Sequence, residues 1–105
     1  MQLNEYEIFT SGDLKESIDK NLPHELRKIF DKKMGYFAKN RFYPSLNTKK
    51  CDVSSKTLKF LGVDGVWEFY INRCEYRCIF YTIDSEKKII IAEVGNHEQI
   101  KRKYS

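Results

Sequence analysis

The chain has 105 residues, 41% of them hydrophobic and 32% charged, with a formal net charge of +4. That length predicts one domain with one core, and no apolar run approaches the roughly 20 residues of a membrane-spanning helix. The opening MQLNEYEIFT lacks the basic start and apolar stretch of a secretory signal, so a cytoplasmic protein without membrane contact is expected.

Taken in chain order, YEIFT at 6–10 predicts a short first strand. Ser11 offers a helix N-cap, and Asp13 stands in the first turn, where the helix dipole favours a carboxylate. Leu14, Ile18 and Leu22 recur every four residues and predict a short amphipathic helix. Asn21 and Pro23 break it, and Pro23 suits the first position of a second helix. That helix carries Leu26, Ile29, Phe30, Met34, Phe37 and Ala38 on one face. Arg27, Lys28, Asp31 and Lys32 lie mostly on the other, and it is expected to end near Asn40. Two helices joined this closely form an αα-hairpin.

Beyond Phe42 the pattern changes. Pro44 and Ser45 mark a loop, followed by Lys49 and Lys50. KTLKFL at 56–61 is read as a strand and GVDG at 62–65 as a turn. VWEFYIN at 66–72 alternates, with Trp67, Phe69 and Ile71 on one face and Glu68 and Tyr70 on the other. A tight connection at 73–75 leads to a strand, YRCIFYTI, at 76–83. DSEKK turns at 84–88, and IIIAEV at 89–94 forms a last strand closed by Gly95. The tail NHEQIKRKYS is read as a loop or short helix. The expected fold is α+β over residues 1–105: a small antiparallel sheet of three to four main strands, with the hairpin packed on one face. The last two strands are apolar on both faces, so the tail or a partner is expected to cover part of the second.

Charge is unevenly distributed. Residues 23–61 hold ten Lys or Arg against three acids, whereas residues 1–22 hold two against five. A basic middle suits a polyanion such as nucleic acid, or an acidic protein segment, and equally describes a solvated lysine-rich helix face. The three cysteines, Cys51, Cys74 and Cys78, form neither a disulfide framework nor the usual zinc-ligand pairs, and no cofactor or metal is expected. Gly-rich phosphate loops and the common hydrolase and metalloprotease motifs are absent.

What remains is a set of polar groups that a sheet would gather. Glu68 and Tyr70 share a strand face, Arg77 follows on the next strand, and Arg73 sits between them. His97 follows the last strand, and Lys49 and Lys50 precede the sheet. Neighbouring strands lie about 4.8 Å apart, so such groups can converge on one phosphate. A carboxylate, a histidine and two or three cations suffice for metal-free RNA cleavage by 2′-OH attack. Taken singly, Glu68 and Arg77 read as a cross-strand ion pair, Trp67 as core, and the tyrosines as amphipathic packing.

LPHELRKIFDKKM at 22–34, RFYPSLNTKK at 41–50, VWEFYI, EYRCIFY, and IIIAEVGNHE with its V-G-x-H-[DE] motif lie in the order and spacing of one family. Together they resemble the RelE/ParE superfamily of type II toxin–antitoxin toxins, in particular its mRNA-interferase branch, over nearly the whole chain. The resemblance implies a cognate antitoxin and a ribosome-dependent endoribonuclease that cleaves mRNA and inhibits translation. It casts Glu68, Arg77 and His97 as catalytic. Lys49, Lys50, Tyr70, Arg73 and Tyr104 take RNA- or phosphate-binding positions. Tyr43 stands where many members carry histidine, and Tyr70 where many carry arginine or lysine. The superfamily also contains gyrase-directed toxins, and a toxin that only binds its antitoxin is a further alternative.

Overall fold

The computed structural model describes residues 5–73 and 75–104. Strand β1 (Glu7–Thr10) leads into helix α1 (Leu14–Asn21). A 3-10 turn (His24–Leu26) runs into α2 (Arg27–Lys39), and a second (Pro44–Leu46) precedes the two-residue strand β2 (Lys49–Lys50). Helix α3 (Ser55–Leu61), strands β3 (Gly65–Asn72), β4 (Tyr76–Ile83) and β5 (Lys88–Asn96), and helix α4 (His97–Tyr104) complete the chain. The sheet order is β1-β5-β4-β3-β2. Strands β2 to β5 pair antiparallel, whereas β1 runs parallel to β5, in register from Glu7 against Lys88 to Thr10 against Ile91. The α+β architecture, the short first strand, the αα-hairpin and the three long strands are as expected, with the two-residue β2 added at one edge and β1 pairing parallel.

Two layers of apolar side chains sandwich the sheet. On the hairpin side, Phe30, Phe37, Phe69, Ile71, Phe80, Ile89, Ile91 and Val94 form the larger cluster. Val66, Ile79, Ala92, Ile100 and Tyr104 form the smaller one on the opposite face, with Leu58 and Leu61 packed against it. The alternation of β3 therefore points as predicted, Phe69 and Ile71 one way and Glu68 the other. In β5 the residue opposite Ile79 is Glu93 and the residue opposite Phe80 is Ile91. Ala92 is thus the extra residue of a bulge, which restores the in–out phase of the strand. Both helices of the C-terminal half, α3 and α4, cover the second face, α4 doing so with the tail.

Several local expectations are corrected. The segment 56–61 is helical, not a strand. Ser54 caps it, its Oγ accepting from the Thr57 N–H at 3.1 Å. Gly62 closes it in the left-handed region at φ 72, donating to Leu58 O and Lys59 O. A helix brings Leu58 and Leu61 to one face, three residues apart, where both reach the core, and leaves Phe60 88% exposed. Ser11 is not the cap of α1, because its hydroxyl donates to Ala92 O at 2.8 Å and ties the helix entry to β5. Pro23 opens the 3-10 turn rather than α2 itself. No helix among the described residues is long and apolar enough to cross a membrane.

Candidate functional site

The second face of the sheet is polar at its β2–β3–β4 end. Tyr70 lies directly across from Arg77, and Lys49 directly across from Glu68. Arg77 therefore reaches Glu68 on the diagonal, Nη1 donating to Oε1 at 3.0 Å, with both side chains almost fully buried (7% and 6% exposed). The other carboxylate oxygen, Oε2, lies 3.6 Å from Lys49 Nζ and 3.5 Å from the Tyr70 hydroxyl. The Tyr70 ring underlies the guanidinium, with Arg77 Cζ 4.8 Å from its centroid. Tyr70 and then Glu68 raise the pKa of Lys49, holding that exposed ammonium in its charged form.

His97 joins this group through the β5–α4 junction. Asn96 and Gln99 satisfy each other's backbone, the Asn96 N–H donating to Gln99 Oε1 at 2.8 Å and the Gln99 N–H to Asn96 Oδ1 at 2.9 Å. This reciprocal capping box starts α4 at His97 without slack. Gly95, opposite Arg77, permits the close approach: a Cβ there would lie 3.2 Å from both Gln99 Oε1 and Ile100 Cδ1.

Two adjoining clefts result. One, of about 370 Å³, is lined by Lys49, Lys50, Glu68, Arg77, His97 and Tyr104 among others. The second, of about 700 Å³, is lined by Tyr70 and Arg73 and shares Lys49, Arg77 and His97. All eight residues singled out in the sequence therefore border one continuous depression. Tyr104 does so differently from the rest. Its hydroxyl is engaged by Glu93 and by Tyr81, and burial first, then Glu93, raise its pKa. Tyr43 lies outside, stacked on Tyr36 with centroids 4.3 Å apart.

Sequence reading missed Cys51, Asp52, Ile100 and Lys101, which also line the smaller cleft. Lys101 carried a signal, standing four residues after His97 and so on the same helical face. Cys51 carried none. Among the described residues no group of three or more His, Cys, Asp or Glu is placed to hold a metal ion. The Cys51 thiol is pushed up to about 11, by burial first and by the Glu68 carboxylate second. Thiolate is the reacting form. Alkylation of Cys51 by iodoacetamide should therefore still be climbing at pH 10, where an ordinary thiol of pKa about 8.5 has levelled off. Peptide mass spectrometry across a pH series reads this directly, and a plateau near pH 9 would contradict the half-buried placement beside Glu68.

No family model and no curated protein matches the sequence. Solved structures do match. The archaeal RelE–RelB complex from Pyrococcus horikoshii OT3 contains a chain that superposes with a TM-score of 0.60 at 13% identity, over 91% of this chain and 96% of that one. A metal-bound toxin from Helicobacter pylori superposes with a TM-score of 0.55 at 10% identity, over 90% of this chain and 98% of that one. Overlap this complete establishes that the chain has a RelE-like fold.

Proposed function

We propose that this chain is the toxin of a type II toxin–antitoxin system, acting in the cytoplasm as a ribosome-dependent endoribonuclease on mRNA. The observation that carries the reading is the Glu68–Arg77 pair, buried yet bordering a cleft that also holds Lys49 and His97. A buried ion pair is a poor way to stabilise a fold. Placed under an open, cation-lined depression, it is a good way to hold charge ready for a phosphodiester.

In the proposed reaction the 2′-oxygen attacks the adjacent phosphorus, the P–O5′ bond breaks, and a 2′,3′-cyclic phosphate forms. Glu68 and His97 divide the two proton transfers, one taking the 2′-OH proton and the other protonating the departing 5′-oxygen. Arg77 and Lys49 counter the negative charge that builds on the phosphoryl oxygens, in a site already organised before substrate arrives. The ribosome would present the mRNA strand to the open side of the cleft. A cognate antitoxin fits the same basic surface through an acidic segment, and the Pyrococcus neighbour was solved as a RelE–RelB complex.

The test is expression of wild type and an Arg77→Ala/His97→Ala double variant, with mRNA ends mapped on arrested ribosomes. Wild type should generate new 5′ ends and stop translation, and the double variant should do neither. Intact mRNA with continuing translation overturns the reading, and DNA damage in its place would mark a gyrase-directed toxin.

A further inference from the structure

A second surface continues from the cleft around the β2 edge onto the hairpin side, and the proposed chemistry leaves it unused. The Arg41 guanidinium lies between two rings, its Cζ 4.5 Å from the Tyr6 centroid and 4.8 Å from that of Phe42. Phe42 stands edge-on against Trp67, centroids 5.8 Å apart, and Lys50 Nζ lies 5.8 Å over the Trp67 ring. Trp67 is backed from within by Phe80, nearly parallel at 11°. Phe42 nevertheless remains 49% exposed.

The ridge is held rigidly. The Phe42 N–H donates to Asn40 Oδ1 at 2.9 Å, and the Tyr43 N–H to Asn40 O at 2.9 Å. Lys33 Nζ donates to Ser45 O at 2.9 Å and to Tyr70 O at 3.1 Å, so one ammonium braces both the ridge loop and the strand that carries the cleft. The segment that carries it is basic, with six Lys or Arg and no acid between Asp31 and Asp52, while Asp84, accepting from the Tyr6 hydroxyl at 2.9 Å, stands at its far end.

An exposed, pre-set ring interleaved with cations is the make-up of a stacking platform for single-stranded nucleic acid. Each base offers a π-face, and the cations follow the backbone. An acidic amphipathic peptide would call instead for a hydrophobic groove long enough to seat anchors over successive helical turns. We propose that the Arg41–Phe42–Trp67 ridge stacks an unpaired RNA base flanking the nucleotide held in the cleft. The inference rests on the reading of the cleft as an RNA site. Lys50, which both borders the cleft and overlies Trp67, gives the strand a continuous cationic path between the two.

The probe is a short single-stranded 2′-O-methyl oligoribonucleotide, which lacks the attacking hydroxyl, compared with an abasic strand of equal length. Trp67 is the chain's one tryptophan, so its fluorescence reports occupation of the ridge. Phe42→Ala and Phe42→Leu should weaken binding of the base-bearing strand roughly tenfold or more. Both should leave the abasic strand unaffected, and Phe42→Tyr should bind like wild type. Lys50→Gln should lower the slope of log affinity against log salt by roughly 0.7 on both strands. Equal affinity of wild type and Phe42→Leu for the base-bearing strand overturns the proposal, as does an equal loss on both strands. Because the probe cannot be cleaved, a wild type that is inactive on ribosomes sinks the nuclease reading without touching this result.

Discussion

Replacing Arg77 with methionine should cost the fold about 3–5 kcal/mol, because Glu68 is left as a charge without its buried partner. The carboxylate cannot relax into water, since its side chain is only 6% exposed, and the remaining cation, Lys49, sits 3.6 Å away on a largely solvated stem. Replacing Glu68 with methionine in the same chain should recover most of that loss, since an apolar pair of similar volume avoids desolvating either charge. Urea denaturation of the single and double variants tests this by linear extrapolation. A Glu68→Met/Arg77→Met chain no more stable than Arg77→Met would show that Glu68 is not held as a buried anion. The same double variant should be folded and fully inactive on mRNA, which separates loss of chemistry from loss of structure.

The second large effect belongs to the other face. Phe37 is wholly buried, its ring centroid 5.2 Å from Phe69 and 4.8 Å from Phe80, the latter edge to face. It is the point at which α2 is seated on β3 and β4. Phe37→Ala should therefore destabilise by about 3–5 kcal/mol, combining lost transfer energy with a cavity that three elements cannot close. Against a total of about 5–15 kcal/mol for a typical domain, that should lower the melting midpoint by roughly 12 °C or more. Calorimetry decides the point. A drop of only a few degrees would mean that the hairpin is held by its flanks instead.

The parts of this molecule legible in the sequence are those where periodicity ran long enough to be unambiguous. Trp67, Phe69 and Ile71 alternate with Glu68 and Tyr70 over a full strand, so the polar face of β3 could be read directly. The apolar stripe from Leu26 to Phe37 likewise announced α2. Strand alternation also told which candidate groups would share a face.

Other features were hidden for physical reasons. KTLKFL offers both a period of two, through Leu58 and Phe60, and a helical pair, through Leu58 and Leu61. Six residues cannot separate them, and the Ser54 cap with Gly62 decided for the helix. The parallel pairing of β1 with β5 depends on α1 docking across Ser11 and Asn21, contacts more than 70 residues apart in sequence. Cys51 reaches the cleft only because β2 ends beside it, and the turning away of the Tyr104 hydroxyl depends on where α4 places it against Glu93.

That long-range pairing has a consequence for how the chain is born. β1 and α1 emerge well before β5, yet β1 pairs with β5 and α1 is tied to it through Ser11 and Asn21. Non-local closure of this kind is slow, because the loop entropy is lost before the contacts repay it. The docking of β1 and α1 on the sheet must therefore wait until residues 88–96 have been synthesised. Since His97 is positioned by the very next residues, the cleft and the first strand are completed together, and a nascent chain interrupted before β5 carries neither.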